Sequence, residues 1–81
     1  MRVFIFRSGK DLYVIGYSQV SDGRNLPEEF APWVSLGDGA IQRGQNLAGV
    51  GLADPAIDAI KREGFFVAKR GDVIVTRQTL P

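Results

Sequence analysis

Four short segments of this chain carry apolar side chains on consecutive residues, so each of them, once extended, is apolar on both faces. In residues 2–7 (R-V-F-I-F-R), Val3 and Ile5 share one face while Phe4 and Phe6 share the other. Residues 12–17 (L-Y-V-I-G-Y) set Leu12 and Val14 against Tyr13, Ile15 and Tyr17. Phe65–Lys69 sets Phe65 and Val67 against Phe66 and Ala68, and in residues 73–77 Val73 and Val75 oppose Ile74. A sheet built from such strands needs cover front and back, and this requirement constrains the fold more than any motif does.

Local signals place the strands in two hairpins. The turn formers Ser8, Gly9, Lys10 and Asp11 separate the first two segments, and Arg70 with Gly71 separates the last two. Residues 18–25 (S-Q-V-S-D-G-R-N) read as a loop. Residues 26–30 read as a short or 3₁₀ helix capped by Asn25, since Pro32 biases Ala31 away from helical geometry. One helix is clear, over residues 55–63, with Asp54 as its expected cap, Pro55 in the first turn, Lys61 and Arg62 at the negative end of the dipole, and Gly64 as terminator. Its Ala56, Ile57, Ala59 and Ile60 form the side expected to pack on the sheet. Between these parts lie residues 33–54, with five glycines in residues 37–51, for which only a short strand over residues 34–36 is predicted. The expected fold is α+β: a mainly antiparallel sheet of four or five strands from two hairpins, one helix on one face, and an irregular Gly-rich middle segment, all in a single domain spanning residues 1–81.

The coverage problem follows from size. A helix of nine residues is ~13 Å long, whereas strands lie ~4.8 Å apart, so it shields part of one face only. The second face then belongs either to the Gly-rich segment, through Trp33, Leu36, Ile41, Leu47 and Leu52, or to another copy of the chain.

Composition narrows the chemistry. There is no Cys and no His, which removes disulfides, thiolate nucleophiles, most zinc sites and the usual acid–base catalyst near neutral pH. The net charge is +1, so no chain-wide attraction to nucleic acid or anionic lipid exists. Apolar runs are far shorter than the ~20 residues a bilayer-spanning helix needs, and residues 7–11 interrupt anything like a signal peptide, so a cytoplasmic location is expected.

The motifs are weak. Gly37-Asp38-Gly39-Ala40-Ile41-Gln42 offers Gln where a dinucleotide fingerprint needs its third glycine, and residues 39–46 end in Gln45-Asn46 where a phosphate-binding loop needs Lys and a hydroxyl. Arg70-Gly71-Asp72 reads as a turn. Residues 59–81 carry a net +3 while residues 25–58 carry −4. Lys61, Arg62, Lys69, Arg70 and Arg77 therefore form a candidate phosphate-binding patch, with Phe65 and Phe66 as stacking surfaces. Asp38 is the carboxylate without an evident structural task, and with Arg43, Gln45 and Asn46 it defines a candidate ligand site in residues 37–51. No catalytic residue, cofactor or metal site is expected. The pattern predicts a non-enzymatic protein–protein interaction module that self-associates, or binds another protein, through an apolar sheet face or edge, with Trp33, Phe65 and Phe66 as candidate contacts. Weak nucleic-acid binding by the basic patch is the alternative.

Overall fold

A computed structural model describes residues 1–47 and 50–69. The elements run β1 (Arg2–Ser8), β2 (Val14–Ser18), a 3₁₀ turn (Glu28–Phe30), β3 (Trp33–Ala40), β4 (Asn46–Leu47), β5 (Gly51–Leu52), α1 (Asp54–Glu63) and β6 (Phe65–Lys69). Four strands form one antiparallel sheet in the order β3-β1-β2-β6, and β4 pairs with β5 in a separate two-stranded piece. The architecture is α+β, as the strand and helix signals predict. The partner expected for β6, residues 73–77, lies outside the described residues.

The first hairpin forms with β2 two residues later than the sequence pattern suggests. Leu12 and Tyr13 belong to the turn, where the Asp11 carboxylate accepts from the Tyr13 amide at 3.0 Å and the Asp11 carbonyl accepts from the Val14 amide, also at 3.0 Å. Ser8 closes the same turn from the other side: its buried hydroxyl oxygen accepts from the amides of Lys10 and Asp11 and donates to the Phe30 carbonyl. These bonds satisfy backbone groups locally, so the side chains of Leu12 and Tyr13 remain in solvent.

α1 covers one face. Its Ala56, Ile57 and Ile60 join Val3, Ile15, Tyr17, Ile41, Leu47 and Ala53 in the main core, with Met1, Ile5, Val50 and Phe66 at its margin. Gly64 ends the helix at φ 88°, a left-handed conformation that glycine adopts without strain, and its amide donates to the Ile60 carbonyl at 2.7 Å. The chain then reverses directly into β6. Asp54 does not cap α1, contrary to the expectation. Ala53 occupies the capping position, and the Asp54 carboxylate turns outward to accept from the Gly44 amide at 2.9 Å.

The opposite face is covered by the segment that joins β2 to β3 and includes the expected 3₁₀ turn. Leu26, from the loop between β2 and β3, is buried over β2, and Trp33 lays its ring beside it. Gly16 makes this possible: a Cβ there would sit 3.0 Å from both Leu26 Cδ2 and Trp33 Cζ3. Phe6 and Val14 are buried beneath this layer. Two polar ties hold the segment down. Ser18 donates to Asn25 Oδ1 at 2.6 Å, and Asn25 Nδ2 donates to the Gly64 carbonyl at 3.1 Å. Of the residues expected to cover the second face, Trp33 does so, and Leu26 from the preceding loop joins it. Of the Gly-rich segment, Ile41 and Leu47 go to the helix side, while Leu36 and Leu52 are exposed.

Candidate interaction surface

With the centre of both faces covered, the outer edge of β3 is a conspicuous open surface among the described residues. Here the middle segment is an eight-residue strand rather than the three-residue one predicted. It pairs with β1 from Arg2↔Ala40 to Ser8↔Trp33. Ile5 pairs with Gly37 and Phe6 with Ser35, so Leu36 is the extra residue of a β-bulge. Among the described residues β1 is the sole neighbour of β3. Val34 is 40% exposed and Leu36 52%.

The ladder fixes which backbone groups face outward. Met1 and Ile41 exchange two hydrogen bonds of 2.8 Å, and Gly9 donates to the Pro32 carbonyl at 2.7 Å. Alternation from these two ends turns the N–H and C=O groups of Trp33, Ser35, Asp38 and Ala40 away from β1. Of the devices that commonly block such an edge, β3 carries the bulge at Leu36, but it contains neither Lys nor Pro, and its single charge, Asp38, is paired with Arg2.

Each residue singled out by the sequence has a definite place. Trp33 serves the fold: its indole Nε1 donates to the Pro27 carbonyl at 2.9 Å, and its ring meets Phe30 edge-on at 6.2 Å. Phe66 packs near Tyr17 at 6.4 Å between ring centres, on the α1 side, while Phe65 lies on the opposite face and is half-buried. Lys61 and Arg62 end α1, and the chain reverses at Gly64. Lys69 therefore sits ~13 Å back along β6, at the far end from them. Lys69 pairs with Asp11 at 3.4 Å and Arg62 with Glu63 at 3.3 Å. Arg70 and Arg77 lie outside the described residues.

The groups proposed for a ligand site in residues 37–51 are largely engaged within the fold. Arg2 holds Asp38, and the Gln45 side chain accepts from the Gln42 amide at 3.0 Å. Arg43 reaches Asp58 at 2.5 Å and Asp54 at 3.6 Å. These contacts raise the pKa of Arg43, chiefly through the hydrogen bond to Asp58, and lower that of Asp58, chiefly through the same bond. Asn46 pairs in β4 with Leu52 of β5.

Open clefts among the described residues include two. One, of about 550 Å³, lies at the β1–β2 turn between Leu12, Tyr13 and Phe30, with Lys10, Asp11 and Glu29 around it. The other, of about 240 Å³, is lined by Met1, Ala40, Ile41, Gln42 and Gln45 beside the end of β3. Among the described residues no three acidic side chains converge where a metal ion would be held, and no helix is long and apolar enough to cross a membrane.

Sequence reasoning missed the edge because β3 does not look like a strand. Three small residues, Gly37, Gly39 and Ala40, hide it from any β-propensity reading. The available signal was the absence of Pro and Lys across residues 33–40. Comparison with models of protein families, with curated proteins and with solved structures finds no match.

Proposed function

We propose that this chain is a non-enzymatic protein–protein interaction module that self-associates through the outer edge of β3. The observation that carries this reading is an eight-residue edge strand with outward backbone groups, exposed Val34 and Leu36, and a single charge already neutralised. Unpaired edges of this kind act as templates for a further strand, with main-chain hydrogen bonds supplying affinity. The apolar face invoked from the sequence loses its motive, because Leu26 and Trp33 lie over its centre. The basic patch has less support, since Lys69 lies at the other end of β6 from Lys61 and Arg62.

Sedimentation equilibrium across concentrations from about 10 μM to 1 mM tests the reading, a range suited to a contact smaller than the standard interface. The expected result is a reversible monomer–dimer equilibrium with little response to salt, because the edge carries no net charge. A chain that stays monomeric throughout rules the proposal out.

A further inference from the structure

The chemistry of β3 also specifies how two copies would meet. We infer that they pair β3 against β3 in antiparallel register about a two-fold axis at Gly37, making one continuous eight-stranded sheet from two four-stranded ones. This rests on the reading that the β3 edge is the contact surface, and adds the partner's register to it.

Three independent features of the strand agree on this arrangement. Hydrogen bonding is the first. The residues with outward backbone groups are Trp33, Ser35, Asp38 and Ala40. A centre at Gly37, with Leu36 bulged out of the count, sets Ser35 opposite Asp38 of the second copy and Trp33 opposite its Ala40. Outward groups then meet outward groups at every such position, giving about eight main-chain bonds across the axis.

The second feature is the side to which side chains point. Gly37 and Gly39 share a face with Ile41, which is buried on the α1 side, and Val34 lies on that face because it pairs with Arg7. Trp33, Ser35, Asp38 and Ala40 lie on the other. In this register each residue meets one from its own face, despite the bulge that shifts the alternation midway along the strand.

Size and charge are the third. Val34 comes opposite Gly39, where an added Cβ meets nothing closer than Ile5 Cδ1 at 4.0 Å, and at Gly37 it meets nothing within 4 Å. The exposed valine of each copy thus has a vacant position opposite it. Trp33 meets Ala40, again a large residue against a small one, and the Ser35 hydroxyl can donate to the Asp38 carboxylate. Moving the axis to Asp38 sets two carboxylates face to face, which disfavours pairing. Moving it to Ser35 shortens the contact and leaves Gly39 and Ala40 without partners. A contact in which the same patch fits itself is what a two-fold dimer requires.

The chain has no cysteine, so introduced thiols report without interference. Val34→Cys and Gly39→Cys are made as separate proteins, checked for folding by circular dichroism, mixed in equal amounts and oxidised. Positions 34 and 39 form a pair without mutual hydrogen bonds, the closer type in an antiparallel ladder. The mixture should form the 34-to-39 disulfide between copies at least about tenfold faster than either protein links to itself, since only that pairing brings the Cβ atoms within bonding range. If Gly39→Cys does not fold, Ser35→Cys mixed with Asp38→Cys tests the same register. A chain that sediments as a dimer while Val34→Cys links to itself as fast as the mixture reacts overturns the register and leaves the edge reading standing. A chain that sediments as a monomer overturns both.

Discussion

Gly16 decides more of this fold than its size suggests. It sits mid-strand in β2, where glycine is usually a weakness, yet its missing Cβ lets Leu26 and Trp33 settle directly on the sheet. Replacing it with valine forces three carbon atoms into a space already within 3.0 Å of both side chains. Gly16→Val should therefore cost about 1–3 kcal/mol, the usual range for overpacking a tight core. Urea denaturation followed by Trp33 fluorescence reads the loss, and an emission maximum moved to the red would report the indole lifted from its seat. The same scale shows why some residues were legible and others not. Gly64 as helix terminator is a local property of glycine and was readable directly. Asp38 looked free because its partner, Arg2, lies thirty-six positions away in sequence. The buried hydroxyls of Ser8 and Ser18 gave no sign of their roles either, since a serine in a turn reads the same whether it is wet or ties two segments together.

At the scale of elements, α1 was legible because Pro55 in the first turn, the dipole charges, the terminating Gly64 and an apolar side agree within about ten residues, although the expected Asp54 cap does not form. Its attachment to the rest of the chain was not. Arg43, from the turn before β4, bridges Asp54 and Asp58 on the first turns of α1. The Asp58 carboxyl is held below its ordinary 3.8, first by the hydrogen bond from Arg43. A carboxyl that loses its proton more readily when folded gains stability above the unfolded value, and that gain disappears as the pH falls through the folded value. Asp58→Asn should therefore lower the thermal midpoint slightly at pH 7, and the two proteins should converge by about pH 2, where both side chains are neutral. The effect is small because the pair is exposed to solvent. β3 is the opposite case: it is a strand by position more than by composition. Its glycines have low strand preference, and only the ladder with β1 holds them extended.

For the whole molecule, the question raised by strands apolar on both sides was what covers them. Among the described residues the answer is one helix on one side and the segment around Leu26 and Trp33 on the other, which covers the centre of the sheet and leaves β3 with a neighbour on one side only. Association along that edge should make stability depend on concentration, because a folded dimer draws the equilibrium away from unfolded chains. The thermal midpoint of the unmodified chain is expected to rise between about 10 μM and 1 mM, whereas Leu36→Lys, which places a charge on the edge, should show a flat response. A flat response in both would remove the support for edge pairing.

The sequence by itself determined β1, β2, β6, the helix, the antiparallel plan and the need for two covering layers, because these follow from alternation, helix-end signals and turns between near neighbours. Only the tertiary structure decided which segment supplies the second layer and which strand stands at the edge. Both depend on contacts between residues distant in the chain, such as Leu26 and Trp33 on Gly16 or the ladder from Met1 to Ile41, and no local preference encodes those meetings.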